Sequence, residues 1–343
     1  MTMTATVRVM TPEEIAARAG GDTAFLHAPV RSTVFAERAM RLRQLARGHA
    51  MGDFLLFMAD LAQGQQDRLE GFPSVPLPDA DALDRAARHG VPALDAADWP
   101  RDPLWHGVAR VIAADLRDSA PAGAKEALSR VIDASGDWLE RQADCLLTGV
   151  MEGLDLATAP LVAAALQVYW THMATTLTQR SDGRGQPFGR TDDETACPCC
   201  GSRPVASITR SSGESLGQRY LHCSLCSLQW HMVRIKCPNC LSTKSLAYQS
   251  LDAAGTAEAG GEPTQRVASA ALQAETCDDC GSYLKIMHTD RDPFVEPVAD
   301  DLASLTLDLL VSEAGYQRHG INLMLLFGAP DTPPDPPPEK GGG

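Results

Sequence analysis

Apolar residues recur every three to four positions through the first half of the chain, which is the spacing of amphipathic helices. In residues 29–47 the apolar side chains alternate with arginines, so the helix predicted there has a basic outer face. Residues 73–78 are rich in proline and predict a stiff, extended connector. Residues 1–180 are therefore predicted to form a helical domain, packed as a bundle by its apolar stripes. The predicted helices cover residues 29–47, 51–69, 103–118, 122–147 and 156–179.

The helical pattern stops near residue 180, and short strand-like runs follow. The glycine-rich, polar stretch 181–190 is predicted to be a linker. An apolar run from Leu302 to Val311 predicts a helix that must be buried against other parts of the chain, within a C-terminal segment over 291–328. Residues 329–343 are rich in proline and glycine and are predicted to be disordered. The predicted strands are 207–210 and 218–221, turning at 211–213, and 245–249 with 282–286.

Paired cysteines are interleaved with these strands. A Cys-x-x-Cys pair on a tight turn, here called a knuckle, directs two thiolates at one point, and two knuckles complete a tetrahedral site for zinc or a single iron. Four knuckles therefore predict two metal ions, held in two rubredoxin-like or zinc-ribbon-like modules over 191–234 and 235–290. The fold class predicted for the whole chain is multidomain α+β. The pairs are Cys197/Cys200, Cys223/Cys226, Cys237/Cys240 and Cys277/Cys280.

The spacing of the knuckles leaves two ways of pairing them. The simplest arrangement is sequential and joins the first with the second and the third with the fourth. A crossed arrangement, first with third and second with fourth, is also compatible with the spacing. Gly201 and Gly281 follow the first and fourth pairs, where a positive φ is cheap for glycine. The knuckle from Cys223 to Cys226 has neither glycine nor proline, so it is predicted to be the least typical and the most exposed or strained.

Several isolated residues have ordinary structural interpretations. His49, His106 and His172 lack a partner at ligand spacing and are predicted to be satisfied or surface histidines. Cys145 lies in a helical pattern and is predicted to be a buried, small apolar side chain. Trp230, between the middle knuckles, is predicted to cover a sulfur site, and His231 to supply a supporting hydrogen bond.

Composition and charge narrow the class of protein. A chain of 343 residues with 44% hydrophobic content is large enough for two or three globular domains. A net charge of −14 argues against a general binder of nucleic acid or of anionic membranes. Residues 1–8 contain no apolar signal core, and no run of 18 apolar residues follows, so neither export nor membrane insertion is expected. Cysteines in such a chain predict metal ligands rather than disulfides, and the cytoplasm as compartment.

Stretches throughout the chain resemble one known family, the formate dehydrogenase accessory protein FdhE. The most specific lies over residues 223–240, within Leu-His-Cys-Ser-Leu-Cys and Gln-Trp-His-Met-Val-Arg-Ile-Lys-Cys-Pro-Asn-Cys. The resemblance covers most of the chain, apart from the predicted linker and tail. The stretches that carry it are 35–46, 221–226, 229–240, 296–305 and 320–323.

The resemblance implies an assembly factor rather than an enzyme. Members of this family are cytoplasmic and assist the biogenesis of respiratory formate dehydrogenases, which are molybdenum enzymes exported folded by the twin-arginine route. The implied partner is the catalytic subunit before export, and the implied cofactors are two metal ions, with rubredoxin-like iron favoured over zinc. The eight paired cysteines are then the ligands. Cys199, inside the first knuckle, departs from the expected pattern and could compete as a ligand. The sequence leaves the oligomeric state open.

Two other functions are compatible with paired cysteines. A zinc-ribbon protein that binds nucleic acid is one, because four basic residues cluster near the middle knuckles. However, residues 191–300 contain nine Lys/Arg against fourteen Asp/Glu, so no nucleic-acid partner is expected. A thiol–disulfide enzyme is the other, although such motifs usually open a helix after a strand and occur only once or twice in a domain. The basic cluster consists of Arg219, Arg234, Lys236 and Lys244.

Overall fold

A computed structural model describes residues 23–181, 187–212, 215–251 and 270–326. Within these residues, helices come first, an extended sheet follows, and two short helices lie near the end, in agreement with the predicted α+β class. Half of the predicted linker, the tip of the first hairpin turn and the predicted disordered tail lie outside the described residues. The first seven helices are α1 (Val34–Leu45), α2 (Gly52–Glu70), α3 (Ala80–Arg88), α4 (Leu104–Arg117), α5 (Ala122–Asp133), α6 (Gly136–Thr148) and α7 (Ala159–Arg180).

Helix α7 occupies the middle of the helical region. It packs against α2, α4 and α6, and nearly all of its side chains are buried, including Tyr169 and Trp170. A helix that is apolar on every side is stable only when other elements surround it. Several of its polar side chains have partners inside the protein. Gln167, for example, accepts a hydrogen bond from Gln65 of α2 at 2.8 Å.

The predicted helix over 122–147 is two helices. Ala134 leaves the helical conformation with ψ of 140°, and the Ser135 hydroxyl then caps α6 by accepting a hydrogen bond from the Trp138 amide. Helix α1 begins at Val34 rather than at residue 29, and α3 was not predicted. The differences in α1 and at Ala134 arise at helix ends, where capping rather than apolar spacing decides the boundary. Helix α3 is short and has no buried residue.

The predicted basic outer face of α1 is wrong for two of its arginines. Arg38 is fully buried and donates from Nε to Glu296 at 3.1 Å, while Arg41 forms a two-pronged ion pair with Asp300. Both carboxylates belong to the C-terminal segment. The C-terminal segment therefore covers helix α1, and ion pairs from Arg38 and Arg41 hold the two together.

One sheet unites both predicted metal modules. Its strand order is β1-β4-β3-β2-β7-β6-β5, with β8 pairing on β7. Neighbours are antiparallel except for β2–β7 and β7–β8, which are parallel. The β2–β7 pair runs from Ser207↔Ile286 to Thr209↔His288 and joins the two modules. The strands are β1 (Leu26–His27), β2 (Pro204–Ser212), β3 (Ser215–Cys223), β4 (Gln229–His231), β5 (Leu246–Gln249), β6 (Leu272–Cys277), β7 (Ser282–His288) and β8 (Gln317–Arg318).

The first predicted hairpin forms as β2 and β3, but the second pairing is wrong. Strand β6 lies between the two strands predicted to be neighbours, β5 and β7. Polar residues obscure β6 in the sequence, because Gln273 and Glu275 are buried there. Alternation of apolar and polar residues could not identify a strand whose polar side chains point inward.

The apolar run near the end of the chain forms two helices, α8 (Pro297–Ala303) and α9 (Leu305–Glu313), separated at Ser304. Helix α9 is buried on one side only. Leu307 and Val311 pack with Tyr283 in a small core of their own, whereas Leu309 is 65% exposed. The predicted burial of this run against another part of the chain is therefore confirmed, but for α9 it is limited to the side that faces the sheet. Among the described residues, none of the helices combines the length and apolar character needed to cross a membrane.

Candidate metal centres

The eight paired cysteines come together in two groups of four. Within each group the sulfur atoms all lie within 4.8 Å of one another. The knuckles therefore pair sequentially, and neither Cys199 nor Cys145 belongs to a group. Site one is Cys197, Cys200, Cys223 and Cys226, and site two is Cys237, Cys240, Cys277 and Cys280.

The sulfur spacing fits a tetrahedral metal site. Four sulfurs, each about 2.3 Å from a central ion, would lie about 3.8 Å from one another. In site one, Cys200 Sγ lies 3.4 Å from Cys223 Sγ and 3.7 Å from Cys226 Sγ. In site two, the Sγ–Sγ distance from Cys240 to Cys277 is 3.7 Å. All of these cysteines are free thiols rather than disulfides, so the donor set suits zinc or a single iron.

All four knuckles adopt the same left-handed turn after the second cysteine. The φ angles are +73° at Gly201, +58° at Ser227, +63° at Leu241 and +65° at Gly281. Ser227 and Leu241 are the only non-glycine residues with positive φ in the described part of the chain. An L side chain costs about 1–2 kcal/mol in this conformation. The same backbone turn is therefore kept even in the two knuckles where the sequence offers no glycine.

The prediction for the second knuckle was half right. Its turn is strained at Ser227, as the missing glycine suggests. It is not exposed, however, because Cys223 and Cys226 are at most 1% accessible. Its backbone amides point at sulfur instead: the amides of Leu225 and Cys226 both donate to Cys223 Sγ at 3.4 Å. Such donors stabilise a thiolate.

Site one is built into the contact between the helical region and the sheet. The backbone amides of Leu94 and Ala96 donate to the carbonyl oxygens of Cys199 and Cys200 at 2.8 and 3.0 Å. On the other knuckle, Gln167 of α7 donates to the Ser224 carbonyl at 2.7 Å. The cysteines of site one belong to the main hydrophobic core. A change in the geometry of site one would therefore alter its hydrogen bonds with the helical region.

Burial makes site one a poor place for uncompensated negative charge. Burial, together with hydrogen bonds from neighbouring sulfurs, raises the pKa of Cys226 well above the ordinary thiol value. Burial also raises the pKa of Cys197, with further contributions from Cys200 and Cys223. Four thiolates confined here repel one another unless a cation lies between them. The site therefore fits a bound cation.

Site two lies at the edge of the sheet. Cys237 and Cys277 are buried, whereas Cys240 and Cys280 reach solvent. Burial acts to raise the pKa of Cys280, but hydrogen bonds from the hydroxyl and amide of Ser282, and from Cys240 and Cys277, lower it to about 7. The Ser282 hydroxyl lies 2.9 Å from the Cys280 sulfur.

Serine two residues after a knuckle is a supporting feature that the sequence analysis missed. Ser202, Ser242 and Ser282 all occupy this position. Besides the contact of Ser282, Ser202 hydrogen-bonds Cys200, and the carbonyls of Ser202 and Ser242 accept the amides of Cys197 and Cys237 at 3.0 and 2.8 Å. The signal was available as Cys-x-x-Cys-x-Ser in three of the four knuckles.

The isolated residues are placed as follows. His49, His106 and His172 contact Ala303 O, Glu140 and Arg31, respectively, so they are satisfied as predicted. Trp230 is buried and donates from Nε1 to the Glu194 carbonyl at 3.0 Å. The ring of His231 packs edge-on against Tyr220. The hydrogen bonds described above for the sulfurs come from backbone amides and serines, rather than from Trp230 or His231. Cys145 is only half-buried, which corrects the prediction that it is fully inside.

Comparisons with known proteins cover nearly the whole described chain. Family models described as "FdhE, N-terminal", "FdhE, central domain" and "FdhE, C-terminal domain" match residues 23–185, 196–234 and 235–325. A "Protein FdhE homolog" of Edwardsiella ictaluri is 38% identical over 326 residues, covering 94% of this chain and 99% of the relative. Another from Pseudomonas aeruginosa is 39% identical over 303 residues, covering 88% and 93%.

A solved structure agrees with these sequence relatives. The crystal structure of the FdhE protein from Pseudomonas aeruginosa superimposes with a TM-score of 0.74 at 37% sequence identity. The match covers 89% of this chain and all of that one. The helical region and the shared sheet are therefore features that this chain has in common with a solved relative.

Proposed function

Because this chain belongs to the FdhE family, we propose that it is an accessory protein of formate dehydrogenase maturation that binds the immature catalytic subunit before export. Family membership and the two four-cysteine sites support an accessory role. The step itself would be binding rather than catalysis, carried out in the cytoplasm. A metal-fastened sheet and a helical region would together present the surface that the partner recognises.

The eight paired cysteines would hold two metal ions, one in each site. The single observation that carries this proposal is that the four sulfurs of each group all lie within 4.8 Å of one another. Four thiolates complete a tetrahedral site and leave no open position for a substrate. Zinc would supply a cross-link alone, and iron, which the family resemblance favours, would add the capacity for one-electron exchange. The protein's own residues shape the site through the knuckle amides and the serines.

The nucleic-acid alternative has little support in the placement of the basic residues. Arg219 is buried and pairs with Glu275 at 2.9 Å, and Lys236 pairs with Glu194. The predicted basic cluster is therefore partly neutralised within the protein. The thiol–disulfide alternative is weakened by the burial of site one, because a partner thiol could not reach its sulfurs.

The test is to identify what binds the protein in a formate-respiring host grown without oxygen. A tagged copy should recover the catalytic subunit of a formate dehydrogenase, and a variant with Cys277→Ser and Cys280→Ser, whose helical region should stay folded, should lose it. Cys199→Ser is the control, because Cys199 lies in a knuckle but outside both sulfur groups. Recovery of nucleic acid without any dehydrogenase would contradict the proposal. Circular dichroism of each variant separates lost binding from lost folding.

A further inference from the structure

A small polar cavity lies beside the second knuckle, where α1, the sheet and the C-terminal segment meet. Its volume is about 130 Å³. Val30 and Glu37 form an exposed rim, whereas His222 and Ser227 at its inner end are each 4% accessible. The cavity lies outside both sulfur groups. The polar side chains that line it are His27, Glu37, Arg210, His222, Ser227, Gln229 and Glu296.

A chain of hydrogen bonds fixes the direction of each polar group along one wall. Arg210 donates from Nε to Gln229 Oε1 at 2.7 Å, which orients the amide. Gln229 Nε2 therefore faces His222 Nδ1, 3.1 Å away, as a donor. A neutral histidine that accepts at Nδ1 carries its proton on Nε2.

The resulting Nε2–H donor has no acceptor. His222 Nε2 is buried and makes no hydrogen bond with any of the described residues. A buried donor without a partner is unfavourable and rare in native structures. Of the side chains lining the cavity, Ser227 also offers a hydroxyl. The inner end of the cavity therefore has one donor without an acceptor, His222 Nε2–H, beside a hydroxyl that already accepts from Arg38 Nη2 at 3.5 Å.

Arg210 is the only arginine or lysine among the residues that line the cavity, and the carboxylates of Glu37 and Glu296 line it as well. Arg210 forms no ion pair with a carboxylate among the residues that the structure describes. Glu296 is already engaged, because its two oxygens accept from Arg38 Nε and from the Ala299 amide. Burial, and after it the charge of Arg210, lowers the pKa of His27 on the opposite wall. A negatively charged group would be stabilised next to the Arg210 guanidinium.

We propose that this cavity binds a carboxylate group. The guanidinium of Arg210 supplies a forked donor that suits carboxylate geometry, and His222 Nε2–H and the Ser227 hydroxyl supply the remaining donors. The volume is well below the roughly 300–1,000 Å³ of sites for drug-sized ligands, so it suits a carboxylate with a few carbon atoms. The carboxylate belongs either to a small free acid or to a peptide. This inference stands independently of the proposed maturation role.

The position of the cavity places such a ligand beside the second knuckle of site one. His222 precedes Cys223 and Ser227 follows Cys226, so the donors at its inner end flank the second knuckle. Ser227 is also one of the two strained left-handed residues. A bound carboxylate would contact the turn that positions two of the site-one sulfurs.

The test uses the full chain with its metal bound, and three probes: sodium acetate, N-acetylglycylglycine, and the C-terminal amide of that dipeptide. Binding is followed by calorimetry and by the Nε2 and Nδ1 resonances of His222 in protein labelled with 15N-histidine. Before any addition, the resonances should show the neutral tautomer protonated at Nε2. Saturable binding of acetate or of the free-acid dipeptide, with a shift of the Nε2–H signal, is the expected result.

Two variants should change affinity in opposite directions. Arg210→Gln should weaken binding by about tenfold or more, since it removes a charge-assisted donor pair. Glu37→Gln should tighten binding by a few fold, because it removes a like charge from the exposed rim. Arg43→Gln is the matched control and should have no effect, since Arg43 is an exposed residue of α1 that pairs with Asp60.

The outcomes are distinct. Binding of acetate but not of the dipeptide would identify a closed site for a small free acid. Binding of the free-acid dipeptide more tightly than acetate, with no binding of its amide, would identify a site for a peptide terminus. Absence of saturable binding by all probes, equal binding by the amide, or an Arg210→Gln variant with unchanged affinity would overturn the proposal. Glu37→Gln keeps the test decisive if other variants fold poorly.

Discussion

The two four-sulfur sites share one backbone turn but differ in their surroundings. Site one lies in the main core with every sulfur buried, and both of its knuckles accept hydrogen bonds from the helical region. Site two lies at the edge of the sheet, with Cys240 and Cys280 open to solvent. The knuckle itself does not determine this difference. The neighbouring elements determine whether the same turn fastens the fold or remains accessible.

The largest expected difference is between two variants, one that lacks a knuckle of site one and one that lacks a knuckle of site two. The pair Cys223→Ser and Cys226→Ser should abolish cooperative folding, whereas Cys277→Ser and Cys280→Ser should leave the helical region folded. Structural zinc contributes about 10–16 kcal/mol in small peptides, as much as the whole stability of a typical domain, about 5–15 kcal/mol. Thermal unfolding followed by circular dichroism measures the folding of each variant, and metal analysis measures how many ions each chain retains. Equal unfolding of the two variants would remove the distinction between the sites.

A buried ion pair tests how strongly the halves of the sheet depend on each other. Arg219 of β3 and Glu275 of β6 are fully inaccessible, and their side chains lie 2.9 Å apart. Glu275→Gln should destabilise the protein by about 3–5 kcal/mol, because it leaves a buried guanidinium unpaired. Asp60→Asn, which breaks an exposed pair with Arg43, should cost less than about 1 kcal/mol. Urea titration compares the two variants, and a similar small loss in both would mean that the buried pair does not couple the halves.

Metal release should follow the exposure of the sulfurs. In the metal-loaded protein, a chelator should remove the ion of site two at least about tenfold faster than that of site one, a difference of about 1.4 kcal/mol in activation free energy. Stopped-flow absorbance with a coloured chelator would resolve two phases. The variant lacking Cys277 and Cys280 should retain only the slow phase. A single phase in the unchanged protein would show that the buried site is no better protected.

The smallest effects concern the turns. Gly281→Ala should cost about 1–2 kcal/mol for its φ of +65° alone, since no atom lies within 4 Å of the added methyl group. Gly201→Ala should cost more, because its methyl group would also lie 3.3 Å from Pro92 Cγ. Leu241→Gly relieves the same strain but removes a side chain that packs against the main core, so the two effects should largely offset each other. Chemical denaturation orders the three, and a costlier change at Gly281 than at Gly201 would contradict the comparison.

Features that depend on local spacing were predictable from the sequence. The Cys-x-x-Cys intervals identified four knuckles, apolar spacing located α2, α4 and α7 to within a few residues, and the resemblance to the FdhE family is confirmed. The assignment of the eight cysteines as ligands stays a prediction. Knuckle pairing was undetermined because both arrangements satisfy the spacing, and only the three-dimensional contacts select the sequential one.

Features that depend on distant partners could not be predicted. Arg38 looked like a surface residue because the acid that neutralises it, Glu296, lies 258 positions away. Strand β6 was missed because Glu275 looked like a surface residue. Its partner, Arg219, belongs to the other module. The parallel pairing of β2 with β7 leaves no local pattern in either strand. A buried charged residue can be recognised in a sequence only when its partner is also known.

The contact of Arg38 with Glu296 also bears on how the protein is made. The ribosome adds about 5–20 residues per second, so the 258 residues between the two partners take roughly 13–50 s to synthesise. During that time helix α1 has emerged, but the acids that cover its buried arginine have not. The helical region must therefore wait, incompletely closed, for nearly the last described segment. This interval is when the nascent chain most needs protection from misassociation.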